Sequence, residues 1–260
     1  MSKEHPKAKN LSLHAVHLPQ KPAGRGPFAV ELLEISPEDA ILNVGCFDGG
    51  LEYHFLLGKV REFHGIDMNP EAIARARAWS FALLERPDYF QIAPAENIPF
   101  PDAYFDKVLC LDTFEHVLDE NKAADEIFRV LKPGGALVLS VPHDFLNFLD
   151  PDELTRGARN FTRKFISHKP PLDHPRHRHY SETALRDFFK HFEIDYVHRC
   201  GTPIFWGLAM LYTGLGLSAA IVNPLSKITA PLENLEYRTR LPTGFNIVLR
   251  ARKPAGKPAE

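Results

Sequence analysis

The chain has 260 residues, 44% of them hydrophobic and 25% charged, with a formal net charge of -2. That is enough chain to bury the core of one α/β domain, and the near-neutral balance excludes a global attraction to nucleic acid. Three scattered cysteines, Cys46, Cys110 and Cys200, exclude a disulfide framework or a Cys-rich zinc site, and residues 1–22 have no apolar signal-peptide core, so a cytoplasmic location is expected.

The first strand is expected over Ala40 to Gly45, breaking at Gly45-Cys46-Phe47-Asp48-Gly49-Gly50 into a helical stretch near Leu51 to Leu57. A second strand, Glu62 to Asp67, leads to Asn69-Pro70-Glu71, which reads as an N-cap with proline at the first helical position, and the helix runs to about Leu84. Strands follow near Tyr89 to Ala93 and over Lys107 to Leu111. A helix then stops at Leu131-Lys132-Pro133-Gly134-Gly135, and Ala136 to Val141 reads as a buried strand. Ser181 caps a further helix through Phe192, and strands are expected over Glu193 to Cys200 and Gly244 to Ala251. Such alternation needs crossover connections, hence a mostly parallel sheet with helices on both faces and ligands at the carboxyl ends of the strands.

Glycines at a strand-to-helix turn let a ligand approach the backbone, and Asp67 closes the next strand about 20 residues on, where a ribose would be held. A nucleoside-containing cofactor is expected. Phe47 occupies the second glycine position of the dinucleotide fingerprint, which disfavours a pyrophosphate and with it a nicotinamide-dependent oxidoreductase. The acids Asp48, Asp67 and Glu96 suit a sulfonium with an amino acid tail better.

Four ordered segments carry a family resemblance: Ile41-Leu42-Asn43-Val44-Gly45-Cys46-Phe47-Asp48-Gly49; His64-Gly65-Ile66-Asp67-Met68-Asn69; Ala95-Glu96-Asn97-Ile98-Pro99-Phe100 with Phe105-Asp106-Lys107-Val108; and Leu131-Lys132-Pro133-Gly134-Gly135. In these the chain resembles the class I S-adenosylmethionine-dependent methyltransferases. The resemblance implies a Rossmann-like, seven-stranded, mostly parallel sheet whose last strand is antiparallel. It implies S-adenosylmethionine as cofactor, bound by Asn43, Gly45, Cys46, Phe47, Asp48, Gly49, Asp67, Met68, Ala95, Glu96, Asn97, Leu111 and Asp112. Asn43 stands where the family usually has Asp, and Phe47 where it has Gly, so the loop is bulkier and less acidic. A non-catalytic, membrane-docking member of the fold is the alternative that these departures suggest.

The expected organisation is a single domain, residues 1–260, with an N-terminal cap (1–35), a cofactor-binding core (36–142), an acceptor-side insertion (143–180) and an apolar insertion (202–240). Candidate catalytic residues are Glu115 and His116, in Asp112-Thr113-Phe114-Glu115-His116 after the fourth strand, and His143 after the fifth. The Glu-His segment is similar to one in ubiquinone-pathway O-methyltransferases. It could hold a proton acceptor or a divalent metal, and its alternative role is packing. His174, His177 and His179, between Arg176 and Arg178, lack metal-ligand spacing and read as a cationic wall, so no metal site is assigned. The expected acceptor is small or lipophilic: a quinone precursor, or a lipid or glycan hydroxyl. The uncharged run 202–222 reads as peripheral contact with the inner membrane face or a lid, with a buried or homodimer-interface helix as the alternative. Leu154, Ala158, Phe161 and Phe165 mark a basic amphipathic helix that would favour anionic lipid.

Overall fold

The structure is a computed structural model that describes residues 18–144, 160, 178–201, 219–239 and 244–256. The helices are α1 (Arg25–Leu33), α2 (Pro70–Leu84), α3 (Glu120–Val130), α4 (Glu182–Phe188) and α5 (Ala219–Arg238). The strands are β1 (Ala40–Val44), β2 (Glu62–Asp67), β3 (Phe90–Ile92), β4 (Phe105–Leu111), β5 (Leu131–Pro142), β6 (Glu193–Cys200) and β7 (Asn246–Arg252).

They form one seven-stranded sheet in the order β3-β2-β1-β4-β5-β7-β6. Pairing is parallel from β3 to β5, while β7 runs antiparallel to both β5 and β6. The order reverses beside β1, between β2 and β4, and this opens a crevice at the carboxyl ends of the three strands.

Every residue of β1 is buried, because both of its faces are covered. Alternate side chains go to opposite sides. Leu42, Val44, Val108, Cys110, Leu137 and Leu139 pack with Ala124 and Ile127 of α3 and Leu185 of α4. Ile41, Leu109 and Val138 pack with Ala29 and Leu33 of α1 and with Ile73 and Trp79 of α2. The helices follow from local chemistry. Asn69 Oδ1 accepts from the main-chain N–H of Glu71 and Ala72 at 3.0 and 3.1 Å, with Pro70 at the first position. Asp119 caps α3 through Lys122 N, and Ser181 caps α4 through Ala184 N, each at 3.1 Å.

Some boundaries differ from those expected. The stretch after the glycine loop is a short π-helical turn, Glu52–Leu56. β5 begins at Leu131, directly after α3, because Leu131 pairs with Phe105 and the register then shifts, so Lys107 faces Ala136; the Pro-Gly-Gly stretch is absorbed into the strand. The helix capped by Ser181 ends at Phe188 rather than Phe192. The last strand ends one residue later than expected, at Arg252. A 20-residue helix, α5, covers the end of the uncharged run 202–222, for which a helix was one of the expected readings, and continues to Arg238, an extension that was not expected. The basic helix expected over 154–165, His174, His177 and most of 202–222 lie outside the described residues.

Candidate functional site: a cofactor cleft at the strand ends

The glycine loop is shaped by its contacts. Gly45 has φ 80°, and a Cβ added there would lie 1.8 Å from Thr113 Oγ1. Only glycine can pass this point, where the β1 turn crosses the β4 turn. Phe47 takes φ 50°, a left-handed conformation unusual for a side-chain-bearing residue. Its ring is half exposed, and the Arg75 guanidinium lies 5.3 Å from the ring centre.

Asp67, the last residue of β2, anchors this loop. Its Oδ2 accepts from Phe47 N and its Oδ1 from Asn69 N, both at 2.8 Å. A carboxylate offers about four lone-pair positions, so capacity remains for two further donors.

Asp67 lines a cavity of about 560 Å³ together with Val44, Gly45, Phe47, Ile66 and Met68, with Ala93 to Glu96, and with Leu111, Asp112, Thr113 and His116 to Leu118. Its walls are mostly apolar. Glu96 fastens one wall to another: its Oε1 accepts from Leu118 N at 2.6 Å and Asp119 N at 3.4 Å, joining the loop after β3 to the loop after β4.

A second cavity, of about 610 Å³, shares Gly45, Phe47, Leu111 and Asp112 with the first and continues along Asn43, Cys46, Asp48, Gly50, Leu51, Arg75 and the segment from Gln20 to Gly26. Arg25, the first residue of α1, forms an ion pair with Asp112 at their junction. Burial works against the Arg25 charge, but Asp112, Tyr237 and Glu115 outweigh it and raise the guanidinium pKa. The position of α1 is set from both ends. Gly24 N donates to Asn234 Oδ1 at 2.8 Å, Arg238 pairs with Glu31 at 2.6 Å, and Lys107 Nζ donates to the Leu33 and Glu34 carbonyls.

Of the expected cofactor residues, eleven meet at these two cavities. Gly49 does not line either one; its φ of 75° and its contacts with Phe90 and Trp79 make it a packing position of the turn. Asn97 also lies outside both walls, exposed beyond Glu96. The cavity residues the sequence reading did not name include Arg25, Arg75, Val117 and Leu118. Arg25 carried no motif signal, since it reaches Asp112, 87 positions further along the chain, only through the packing of α1.

The candidate catalytic residues separate. His116 is exposed on the wall of the first cavity, on the short 3-10 turn Phe114–His116. Glu115 is buried, and lack of solvation, with Asp112 nearby, pushes its pKa well above the usual carboxylate range. The adjacent pair therefore faces two ways and makes no common ligand set. Among the described residues no group of three or more His, Cys, Asp or Glu could hold a metal ion. His143 is buried against the backbone, Nδ1 lying 2.9 Å from the Gly244 carbonyl, and it lines neither cavity. His179 Nδ1 lies 2.9 Å from the His143 carbonyl, and Arg178 pairs with Glu120 at 2.8 Å.

A methyltransferase domain family matches residues 42–139, which hold the whole lining of the first cavity and most of that of the second. The chain is 30% identical to a ubiquinone biosynthesis O-methyltransferase of Alkalilimnicola ehrlichii, across 55% of this chain and 68% of the relative. It is 35% identical to norajmaline N-methyltransferase of Rauvolfia serpentina, across 44% of this chain and only 41% of that protein. The fold is similar to the solved structure of a SAM-dependent methyltransferase from Methanosarcina mazei, with TM-score 0.53 and 21% identity over 85% of this chain and 94% of that one. The glycine turn, the cavity at the strand ends and these likenesses agree: the chain belongs to the class I S-adenosylmethionine-dependent methyltransferases.

Proposed function

We propose that this protein methylates a hydroxyl of a small lipophilic acceptor of the quinone-precursor kind. The observation that carries this reading is the pair of cavities joined at Gly45, Phe47, Leu111 and Asp112, one bearing Asp67 and the other Asn43 and Arg25. When bound, S-adenosylmethionine supplies an activated methyl group on a sulfonium. Asp67 then takes the ribose hydroxyls, and Val44, Ile66, Ala93 and Leu111 exclude water around the adenosyl group. The Arg25–Asp112 pair is a polar edge that orients the acceptor. His116 receives the proton that the acceptor oxygen releases, whereas Glu115, buried and protonated, stays neutral. The likeness to a quinone O-methyltransferase favours oxygen over nitrogen.

Approach from a membrane suits such an acceptor. None of the described helices is long and apolar enough to cross a membrane. α5, which follows the 202–222 run, leaves Ile228, Leu232 and Leu235 exposed at helical spacing, consistent with a face that lies on the lipid surface. Flotation with anionic vesicles should carry the wild type and lose Leu232→Glu; a concentration-dependent dimer that Leu232→Glu dissociates, with no flotation, would assign the stripe to a second copy instead.

The reaction is tested with methyl-labelled S-adenosylmethionine and a panel of phenolic quinone precursors, lipid and glycan hydroxyls, and amines. Label should appear on a phenolic oxygen, and His116→Ala should lower kcat by about 10²-fold or more without changing cofactor Kd. Transfer only to amines overturns the hydroxyl assignment; binding of NAD in place of S-adenosylmethionine overturns the reading altogether.

A further inference from the structure

Glu52 is fully buried on the π-helical turn behind the glycine loop, and the reaction as drawn above does not use it. Its Oε1 accepts from Asn43 Nδ2 at 2.9 Å, while Oε2 makes no hydrogen bond. None of the described ion pairs includes Glu52. The groups that face it electrostatically are Asp48 of the glycine loop and Asp67 at the end of β2, both acids, and the buried Cys46 thiol, whose pKa burial pushes up. A carboxyl in such a place is neutral in the free protein: burial first, then Asp48 and Asp67, raise it to about 8 against the lowering by its hydrogen bonds.

Asn43 stands between this acid and the second cavity, which it lines. One N–H of its Nδ2 is taken by Glu52, and Oδ1 is the acceptor it can offer to a cation. An Asp at position 43, usual in the family, would have set a second carboxyl against Glu52 in a buried space, where like charges destabilise each other. The amide removes that conflict and keeps the acid behind it.

We propose that Glu52 is a positioning residue for the ammonium of the cofactor's amino acid tail: it fixes Asn43 with Oδ1 toward the cavity and releases its own proton to solvent when the cation arrives. The idea rests on the proposed binding of S-adenosylmethionine: with the adenosyl group in the first cavity, the amino acid tail enters the second, along Asn43 and Asp48. The negative charge missing from position 43 is supplied one hydrogen bond further in, and only when a cation is present to balance it. Uptake of the cofactor is thereby linked to loss of a proton.

Titration calorimetry at pH 7 in buffers of different ionisation enthalpy reads this directly. S-adenosylmethionine should release most of one proton on binding the wild type, and 5′-methylthioadenosine, which lacks the amino acid tail, should bind with none. Glu52→Gln, which still accepts from Asn43, should bind S-adenosylmethionine about tenfold more weakly, a difference of ~1.4 kcal/mol, and release no proton, while its affinity for 5′-methylthioadenosine is unchanged. If Glu52→Gln does not fold, the contrast between the two ligands on the wild type decides. Tight binding of S-adenosylmethionine with no proton released overturns the role of Glu52; absence of any binding heat overturns the cavity reading beneath it.

Discussion

The main-chain N–H of Phe47 donates to Asp67 Oδ2 at 2.8 Å, so the residue that replaces the family's middle glycine is pinned to a carboxylate that lines the first cavity, the one proposed to hold the ribose. One acid thus shapes the loop and faces the cavity. Asp67→Asn keeps one acceptor oxygen, so it retains only one of the two loop hydrogen bonds and loses the charge. Hydrogen bonds to a charged group contribute about 1.5–3 kcal/mol each, so S-adenosylmethionine and S-adenosylhomocysteine should both bind roughly 10- to 150-fold more weakly, by calorimetry, and Tm should fall with the lost loop contact. Equal affinities for variant and wild type would mean that the ribose is held elsewhere.

The left-handed backbone of Phe47 predicts an order of stabilities. Strain at such a residue costs about 1–3 kcal/mol, and a β-branched side chain tolerates it worst. Phe47→Gly relieves it but loses the Arg75 contact, worth about 0.5–1 kcal/mol when exposed, and loosens the unfolded chain by a similar amount. Urea unfolding should therefore place Phe47→Gly close to the wild type and Phe47→Val clearly below both. A Val variant as stable as the wild type would show that position 47 does not adopt this conformation.

Acid should loosen the wall of the first cavity through Glu126. Its carboxylate is held below the usual range chiefly by Arg129, at 2.7 Å, and by the Ile98 N–H at 2.8 Å. Arg129 also donates to the Ile98 and Phe100 carbonyls and pairs with Asp102, so α3 clamps the loop that begins at Glu96. A depressed carboxylate contributes stability that is present above its unfolded value, about 4.3, and is lost as pH falls through the lower folded value. Glu126→Gln should be less stable than the wild type at pH 7 and should lose less on acidification to about pH 3. Parallel losses in the two proteins would exclude Glu126 from the acid transition.

Much of the fold was legible because local rules and tertiary packing agree in the first half of the chain. Glu62–Asp67 and the helix from Pro70 to Leu84 were bounded correctly from an apolar run and an Asn-Pro cap, and both signals act within a few residues. Prediction was weaker where partners decide: β5 starts early because Phe105 lies beside Leu131, and α5 continues to Arg238, well past the run in which a helix was considered. For the candidate site, the spacing pointed to the glycine turn and Asp67, and Gly45 and Asp67 line the first cavity. Glu115 and His116 are adjacent in sequence but face the core and the cleft, a difference invisible without the path of the turn after β4.

What the amino-acid order determined by itself is the alternation of strands and helices, the glycine-lined turn and the acid after β2, since each depends on backbone conformation and side-chain period over short stretches. Only the tertiary structure decided that Arg25 meets Asp112, that Asn43 is backed by the buried acid Glu52, and that Glu96 joins two loops. These contacts link distant elements or a turn to the strand behind it. Their energies depend on how far each charge is removed from water, and burial is a property of the packed molecule rather than of any segment.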